Sequence, residues 1–473
     1  MNTLLDLVEN FNDFEAKNDL FDFEIEGVKI WKYIRFGVFQ KIVDAKYNIE
    51  FQHYSPNVTV FNKLNSFLLN TPDAILKNPF FNIPSSDILV LNHPRRISND
   101  GVMDCQYTDT ILKNTDYTFQ VFEAPYFQNH LKPAGTKNLK YLDLLILKSQ
   151  LKIKVRKLLN PVKENKYLQE LFKELSHRYG VELSFFISNS NSIIYMHHSL
   201  FDSIVKILKQ VQPKIILEVV WGKALHILFN EIAQESGIKV VELQHGIIGN
   251  CNISYNFQNK FHFFGFPDYI LLFGNYWKTN AKFPIENDHL IPVGFPYFEK
   301  IQSKYSAVSI KQNPLIILIL SQPTIGVELS LFAVELNKMI DRNRYKIIFK
   351  LHPGEIAGWK NRYESLSQSN IEVVDNTNNH LYYYFSIASI QIGVYSTAIY
   401  EGLGYNLPTF IIKLPGYEHM NELVSNHYTK LISSPVELIE NIFNTTFRPS
   451  GTEFWEKQSD KRMEDTLGKI INS

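Results

Sequence analysis

The chain has 473 residues, 48 Lys and Arg against 48 Asp and Glu, and an apolar share of 45%. Such a length exceeds one hydrophobic core and leads us to expect two or three domains, and the apolar share excludes a disordered chain. Balanced charge excludes a general nucleic-acid-binding field, so no nucleic-acid partner is expected.

The first ten residues lack a cationic stretch, so no secretory signal is expected, and no apolar run reaches the length of a membrane span. Cys105 and Cys251 lie far apart without His or Cys partners at ligand spacing, so no disulfide scaffold or zinc site is expected, which fits a reducing cytoplasm. Residues 1–80 predict a mostly helical extension, with apolar residues at helical spacing over 29–42. Apolar runs at 87–91 and 117–122 predict strands, and the first ends in Asn92-His93-Pro94-Arg95-Arg96. Periodicity predicts helices at 142–159, 166–179 and 200–210. Residues 214–243 predict a strand–helix–strand unit ending at Gln244-His245-Gly246. Short strands are predicted at 269–273 and 289–294. A second α/β pattern follows, with strands at 315–320, 345–351, 371–374, 387–394 and 409–412, and helix after about 435.

These elements predict an α/β chain of two Rossmann-like domains facing a central cleft, behind a mostly helical N-terminal segment. The expected bounds are 1–260 for the first domain, 261–312 for an interdomain region and 313–473 for the second, whose last helix is free to pack back on the first. In open α/β sheets ligands bind at the carboxyl ends of the strands. The stretch 345–351 is stopped by His352-Pro353-Gly354, because proline lacks the N–H that a ladder needs. The run 387–395 ends in Ser396-Thr397, and hydroxyls at a strand-to-helix junction suit an anion. One strand end with His and one with Ser-Thr suggest a phosphate clamp.

The segments Leu243-Gln-His-Gly246, Lys350-Leu-His-Pro353, Gly393-Val-Tyr-Ser-Thr-Ala-Ile-Tyr-Glu-Gly402 and Asn406-Leu-Pro-Thr409 together resemble the GT-B glycosyltransferase superfamily over residues 214–450. The likeness is to bacterial surface-polysaccharide enzymes: capsule-type transferases, sialyltransferases and Kdo transferases with a His-Pro motif, and more distantly CDP-glycerol glycerophosphotransferases. It implies that the first domain takes the acceptor and the second the nucleotide-sugar donor. It implies donor-phosphate contacts from His352, Pro353, Ser396 and Thr397, with ribose contacts from Glu401. Lys350 would add positive charge. The acidic-acidic-Gly motif of the sialyltransferases has no clear counterpart; its nearest candidate is Glu218-Val-Val-Trp-Gly222.

Each candidate has an ordinary structural alternative. His352 and His245 are also compatible with hydrogen-bonded structural roles, Ser396-Thr397 with a helix cap and Glu401 with a helix surface. Glu218, at the end of an apolar run, would have a raised pKa and suit a general base, as would His245 beside Gly246. His93, Arg95 and Arg96 would meet the acceptor or a phosphate, or be solvated. No metal and no cofactor are called for. The expected activity is glycosyl transfer from a nucleotide-activated sugar, CMP-linked acidic sugars ahead of the rest, to a saccharide or lipid-linked acceptor. A sugar-nucleotide epimerase, a CDP-alditol phosphotransferase and a non-catalytic assembly component stay open. Residues 147–159 interleave Lys148, Lys152, Lys154, Arg156 and Lys157 with apolar residues and no acid. They read either as a solvated helix face or as a weak contact with an anionic membrane, which would make a cytoplasmic protein peripheral to that membrane.

Overall fold

Runs rich in Ile, Leu and Val form strands here because a parallel sheet covered on both faces buries every side chain along them. In the computed structural model, which describes residues 3–47, 72–126, 129–306, 314–376, 379–448 and 453–473, these strands assemble into two sheets. The first holds β1 (Ile88–Leu91), β2 (Phe119–Glu123), β3 (Leu139–Tyr141), β4 (Ile215–Val219), β5 (Lys239–Leu243), β6 (Tyr269–Leu272) and β7 (Leu290–Pro292). Their order is β7-β6-β5-β4-β1-β2-β3, with every neighbouring pair parallel. The second holds β8 (Leu315–Leu320), β9 (Tyr345–Lys350), β10 (Glu372–Val374), β11 (Ile390–Gly393), β12 (Thr409–Ile412) and β13 (Lys430–Ile432). It runs β10-β9-β8-β11-β12-β13, again all parallel. Each sheet thus has the doubly wound Rossmann order, which reverses between β1 and β4 in one and between β8 and β11 in the other. The chain is an α/β protein of two Rossmann-like domains.

The N-terminal helices Leu4–Lys17 and Trp31–Tyr47 belong to the first domain's core through Leu7, Phe11, Trp31, Ile34 and Val38. A buried Arg35 fastens them. It donates to Glu15 at 2.6 Å and to the Asn256 carbonyl at 2.7 Å, so its charge is paired where water cannot reach it.

The chain crosses between domains twice. The helix Ser459–Asn472 returns to the first sheet, where Met463, Leu467 and Ile470 join the core under β1 and β4. On the way Trp455 donates to the Tyr400 carbonyl at 2.9 Å and stacks on Phe298, ring centres 4.3 Å apart. This second crossing presses on Gly294, whose φ is +88°. A Cβ there would lie 2.4 Å from the Glu456 carbonyl oxygen.

β3 and β13 were not anticipated; both are three-residue edge strands, too short to show a period. The strand expected from 387 begins at Ile390, because 381–387 forms the helix Leu381–Ile387. The helix expected at 200–210 is part of a longer one, Phe185–Val211. The expected boundary at 312–313 and residues 48–71 of the expected extension lie outside the described residues.

Gly294→Ala meets both a left-handed backbone and a backbone oxygen. It should cost at least about 1–2 kcal/mol by chemical denaturation. An unchanged denaturation midpoint would show that the second crossing does not press on this loop.

Candidate functional site

His352 lies two residues beyond β9, exposed at the carboxyl edge of the second sheet. Its position is set from beneath by Glu355, which is fully buried. The Glu355 carboxylate accepts the His352 backbone N–H at 2.7 Å, the Ser321 hydroxyl at 2.8 Å and the Tyr363 hydroxyl. The His352 Nδ1 in turn accepts the Gly354 N–H at 3.1 Å, which leaves Nε2 for a ligand. Pro353 opens the short turn Pro353–Glu355 and is exposed. Lys350, in contrast to the expectation, is buried and donates to the Leu351 carbonyl at 3.3 Å. Its side chain packs into the domain because it is the last residue of a strand covered on both faces.

The loops at the second sheet's switch point are tied together. The Tyr395 N–H donates to Gln322 at 3.1 Å, and the Tyr395 hydroxyl meets the Thr324 hydroxyl at 2.5 Å. Ser396 caps the helix Thr397–Leu403 by accepting the Ala398 N–H at 3.2 Å. Thr397 reaches across the cleft: a Cβ on Gly246 would sit 3.8 Å from its Oγ1. The residue after β5's His245 therefore faces the residue after β11's Ser396. A second bridge, Asn250 to Glu422 at 2.9 Å, lies nearby.

On the first domain, His245 is held by the Tyr107 hydroxyl, which donates to its carbonyl at 2.9 Å. Its side chain is 29% exposed, and its Nδ1 lies 3.9 Å from the fully buried carboxylate of Glu242. Burial, with His93 and Lys223 nearby, pushes the His245 pKa down to about 3, so the ring is neutral at pH 7. Burial likewise lowers His93 to about 4, helped by Lys223. Its Nδ1 accepts the Arg95 N–H at 3.1 Å.

Glu218 does not reach the cleft. It is fully buried, with one oxygen 2.7 Å from the Asn230 amide and the other 3.0 Å from His226 Nδ1. Burial raises its pKa to about 8 and drives that of His226 well below the usual value. Both shifts describe one neutral pair, a carboxylic acid donating to an imidazole. Glu218 is therefore a support beneath the wall, not a base in the cleft.

Arg96 is also removed from the expected set. It is buried, 2.6 Å from Glu123 and 3.6 Å from Asp109, and so is a structural ion pair. Arg95 is exposed and is the cation that looks across: its charge lowers the pKa of His352, after burial, and partly offsets the burial that raises Glu401. Glu401 is half-buried among Tyr297, Tyr382 and Tyr405, and burial lifts it to about 7. A cavity of about 290 Å³ opens beside the clamp, lined by Phe36, Phe39, Ile247, Tyr395 and His419 among others. Among the described residues, no group of three His, Cys, Asp or Glu side chains is placed to hold a metal ion.

Glu355, Glu242, Tyr107 and Lys223 were missed. A signal existed for Glu355: a cap and an acid three residues on is the spacing of a capping box, and His352 takes the cap position. The others are brought to the site by strand order, which no local pattern reports.

No protein-family model and no curated protein sequence matches this chain. Similar solved structures include the UDP-GlcNAc 2-epimerase from Methanocaldococcus jannaschii, at 12% identity, covering 81% of this chain and 99% of that one, with a TM-score of 0.49. The UDP-GlcNAc 2-epimerase from Neisseria meningitidis matches at 12% identity over 81% and 99%, with a TM-score of 0.46. The wall teichoic acid polymerase TagF matches at 11% identity over 87% and 98%, with a TM-score of 0.44. Likeness at this level carries no residue's role across.

The Glu218 proton makes stability depend on pH. The folded protein keeps it up to about pH 8, whereas the unfolded chain loses it near 4.5, so stability falls as pH rises through that window. Near pH 6.5 an unfolded histidine is still half protonated and adds a slope of the opposite sign, but that slope is common to both proteins. Relative to wild type, the unfolding free energy of Glu218→Gln should therefore rise with pH by up to about 1.4 kcal/mol per unit between pH 6.5 and 8. An identical slope in both proteins would mean that Glu218 is ionised in the fold.

Proposed function

We propose that the protein is a glycosyltransferase that uses a nucleotide-activated sugar, a CMP-linked acidic sugar by preference, and a saccharide or lipid-linked acceptor of the surface-polysaccharide type. One observation carries this reading: the strand-end residues His352, Ser396 and Thr397 of one domain face His245 and Arg95 of the other across one cleft. Such an edge-to-edge arrangement suits two substrates that must meet between two sheets.

His352, through Nε2, and the Thr397 hydroxyl would donate to the donor phosphate. Arg95 would stabilise the charge that develops on it as the bond to the sugar breaks, or pair with the carboxylate of an acidic sugar. Glu401 would meet the ribose. His245, neutral at rest, would take the acceptor hydroxyl's proton while that oxygen attacks the anomeric carbon. The bound phosphate's negative charge raises the imidazole's affinity for that proton. The apolar part of an acceptor would find room in the adjoining cavity. The reaction would run in the cytoplasm.

His352→Ala should lower turnover by about 10²–10³ with the fold intact, the usual cost of one donor to a developing charge. His245→Ala should lower kcat much more than it weakens nucleotide binding, as expected for a base. Both are read with donor, acceptor and product quantified separately. Near-normal turnover in His352→Ala would overturn the clamp. Conversion of the donor sugar with no acceptor consumed would favour an epimerase.

A further inference from the structure

Helix Asp143–Leu159 has the opposite of the usual arrangement for a surface helix. Its inner side carries only Leu145 and Ser149 as buried residues. Its outer side exposes Leu147, Leu151, Val155 and Leu158 at 37%, 57%, 53% and 84%. These positions are spaced i, i+4, i+8 and i+11, so they form one stripe spanning about 80° of the helix at about 100° per residue. Leu159, 72% exposed, extends it.

The charge on this helix is sorted. Lys152 turns inward and donates to the Ser199 carbonyl at 3.2 Å, and Arg156 is half-buried on the same side. Lys148, Lys154 and Lys157 are exposed and flank the stripe. The only acid in the helix is Asp143 in its first turn. Residues 72–81 run alongside: Lys148 lies 5.0 Å over the Phe80 ring, and the Tyr141 N–H donates to the Lys77 carbonyl at 2.7 Å. That segment adds Ile75, Leu76 and Phe81, exposed at 53%, 75% and 69%.

We propose that this face docks on an anionic lipid surface, with the leucine and valine stripe at the acyl boundary and the three lysines on the headgroup phosphates. On the helix, apolar area rimmed by cations without interleaved acids is the pattern of a segment lying in a membrane interface, and Asp73 of the neighbouring segment is paired with Lys132. Pairing with a second copy would bring lysine against lysine, so self-association is disfavoured by the same charges. The helix starts two residues after β3, the outermost strand of the first sheet, on the side where the strands' carboxyl ends lie. The docking is independent of the donor chemistry. No helix among the described residues is long and apolar enough to cross a membrane, so attachment would be peripheral.

The test is co-sedimentation of the full chain with vesicles of phosphatidylcholine alone or mixed with phosphatidylglycerol, at low salt and at 1 M, where the screening length shrinks to about 3 Å. Two variants are compared: Lys148→Gln with Lys154→Gln and Lys157→Gln, and Leu151→Ser with Val155→Ser and Leu158→Ser. All six side chains are exposed, and circular dichroism checks that each fold is unchanged. The wild type should pellet with anionic vesicles and be released by salt. The lysine variant should partition about 100-fold more weakly, since each lysine near such a surface contributes about a factor of five. The serine variant should also fail to pellet. Equal pelleting on both vesicle types, no pelleting, or unchanged binding by either variant would overturn the proposal. A dimer in sedimentation velocity that the serine variant dissociates would overturn it too.

Discussion

Parallel pairing in both sheets is the constraint on which the rest depends. A parallel neighbour requires a crossover, so every strand runs in one direction and every carboxyl end falls on one edge. Two such sheets with reversing strand order bring Asn92-His93, Gln244-His245, His352 and Ser396-Thr397 to facing edges, although these pieces are far apart in the chain. The second crossing, with Trp455 stacked on Phe298 and its chain pressed on Gly294, joins the two sheets a second time beside that cleft.

The same edge separates charge that supports from charge that acts. Beneath the surface, groups are neutralised or paired: Glu218 with His226, Arg96 with Glu123, and Glu242 with Tyr255, whose hydroxyl donates to it at 2.9 Å. An unpaired charge at such depth would cost several kcal/mol. At the surface, Arg95 is exposed and His245 is neutral and partly open. Glu355 joins the two layers, since its buried carboxylate holds the backbone N–H of the exposed His352.

Much of this was legible in the sequence. Long apolar runs such as 315–320 and 345–350 are strands because their composition leaves no other way to bury both faces. His352 could be placed at a strand end because Pro353 stops the ladder. Depth was not legible. Arg95 and Arg96 are neighbours of one type, yet one is exposed and the other buried on Glu123, which arrives from β2. Glu218 was recognisable as a carboxyl with a raised pKa, but whether it opened on the cleft depended on Asn230 and His226 from the following helix. The basic run at 148–157 was visible too, but not that Lys152 and Arg156 turn inward while leucines turn out.

The central claim is that His352 and Thr397 grip a nucleotide's phosphate between two domains. It is tested most directly by calorimetric titration of the intact protein with CMP, UDP, GDP and CDP, repeated on Thr397→Val, which keeps the side chain's shape and removes only its hydroxyl. One saturable site for at least one nucleotide is expected, weakened about tenfold in the variant, as for the loss of one charge-assisted hydrogen bond. Absence of binding by all four, or equal affinity in Thr397→Val, would contradict it.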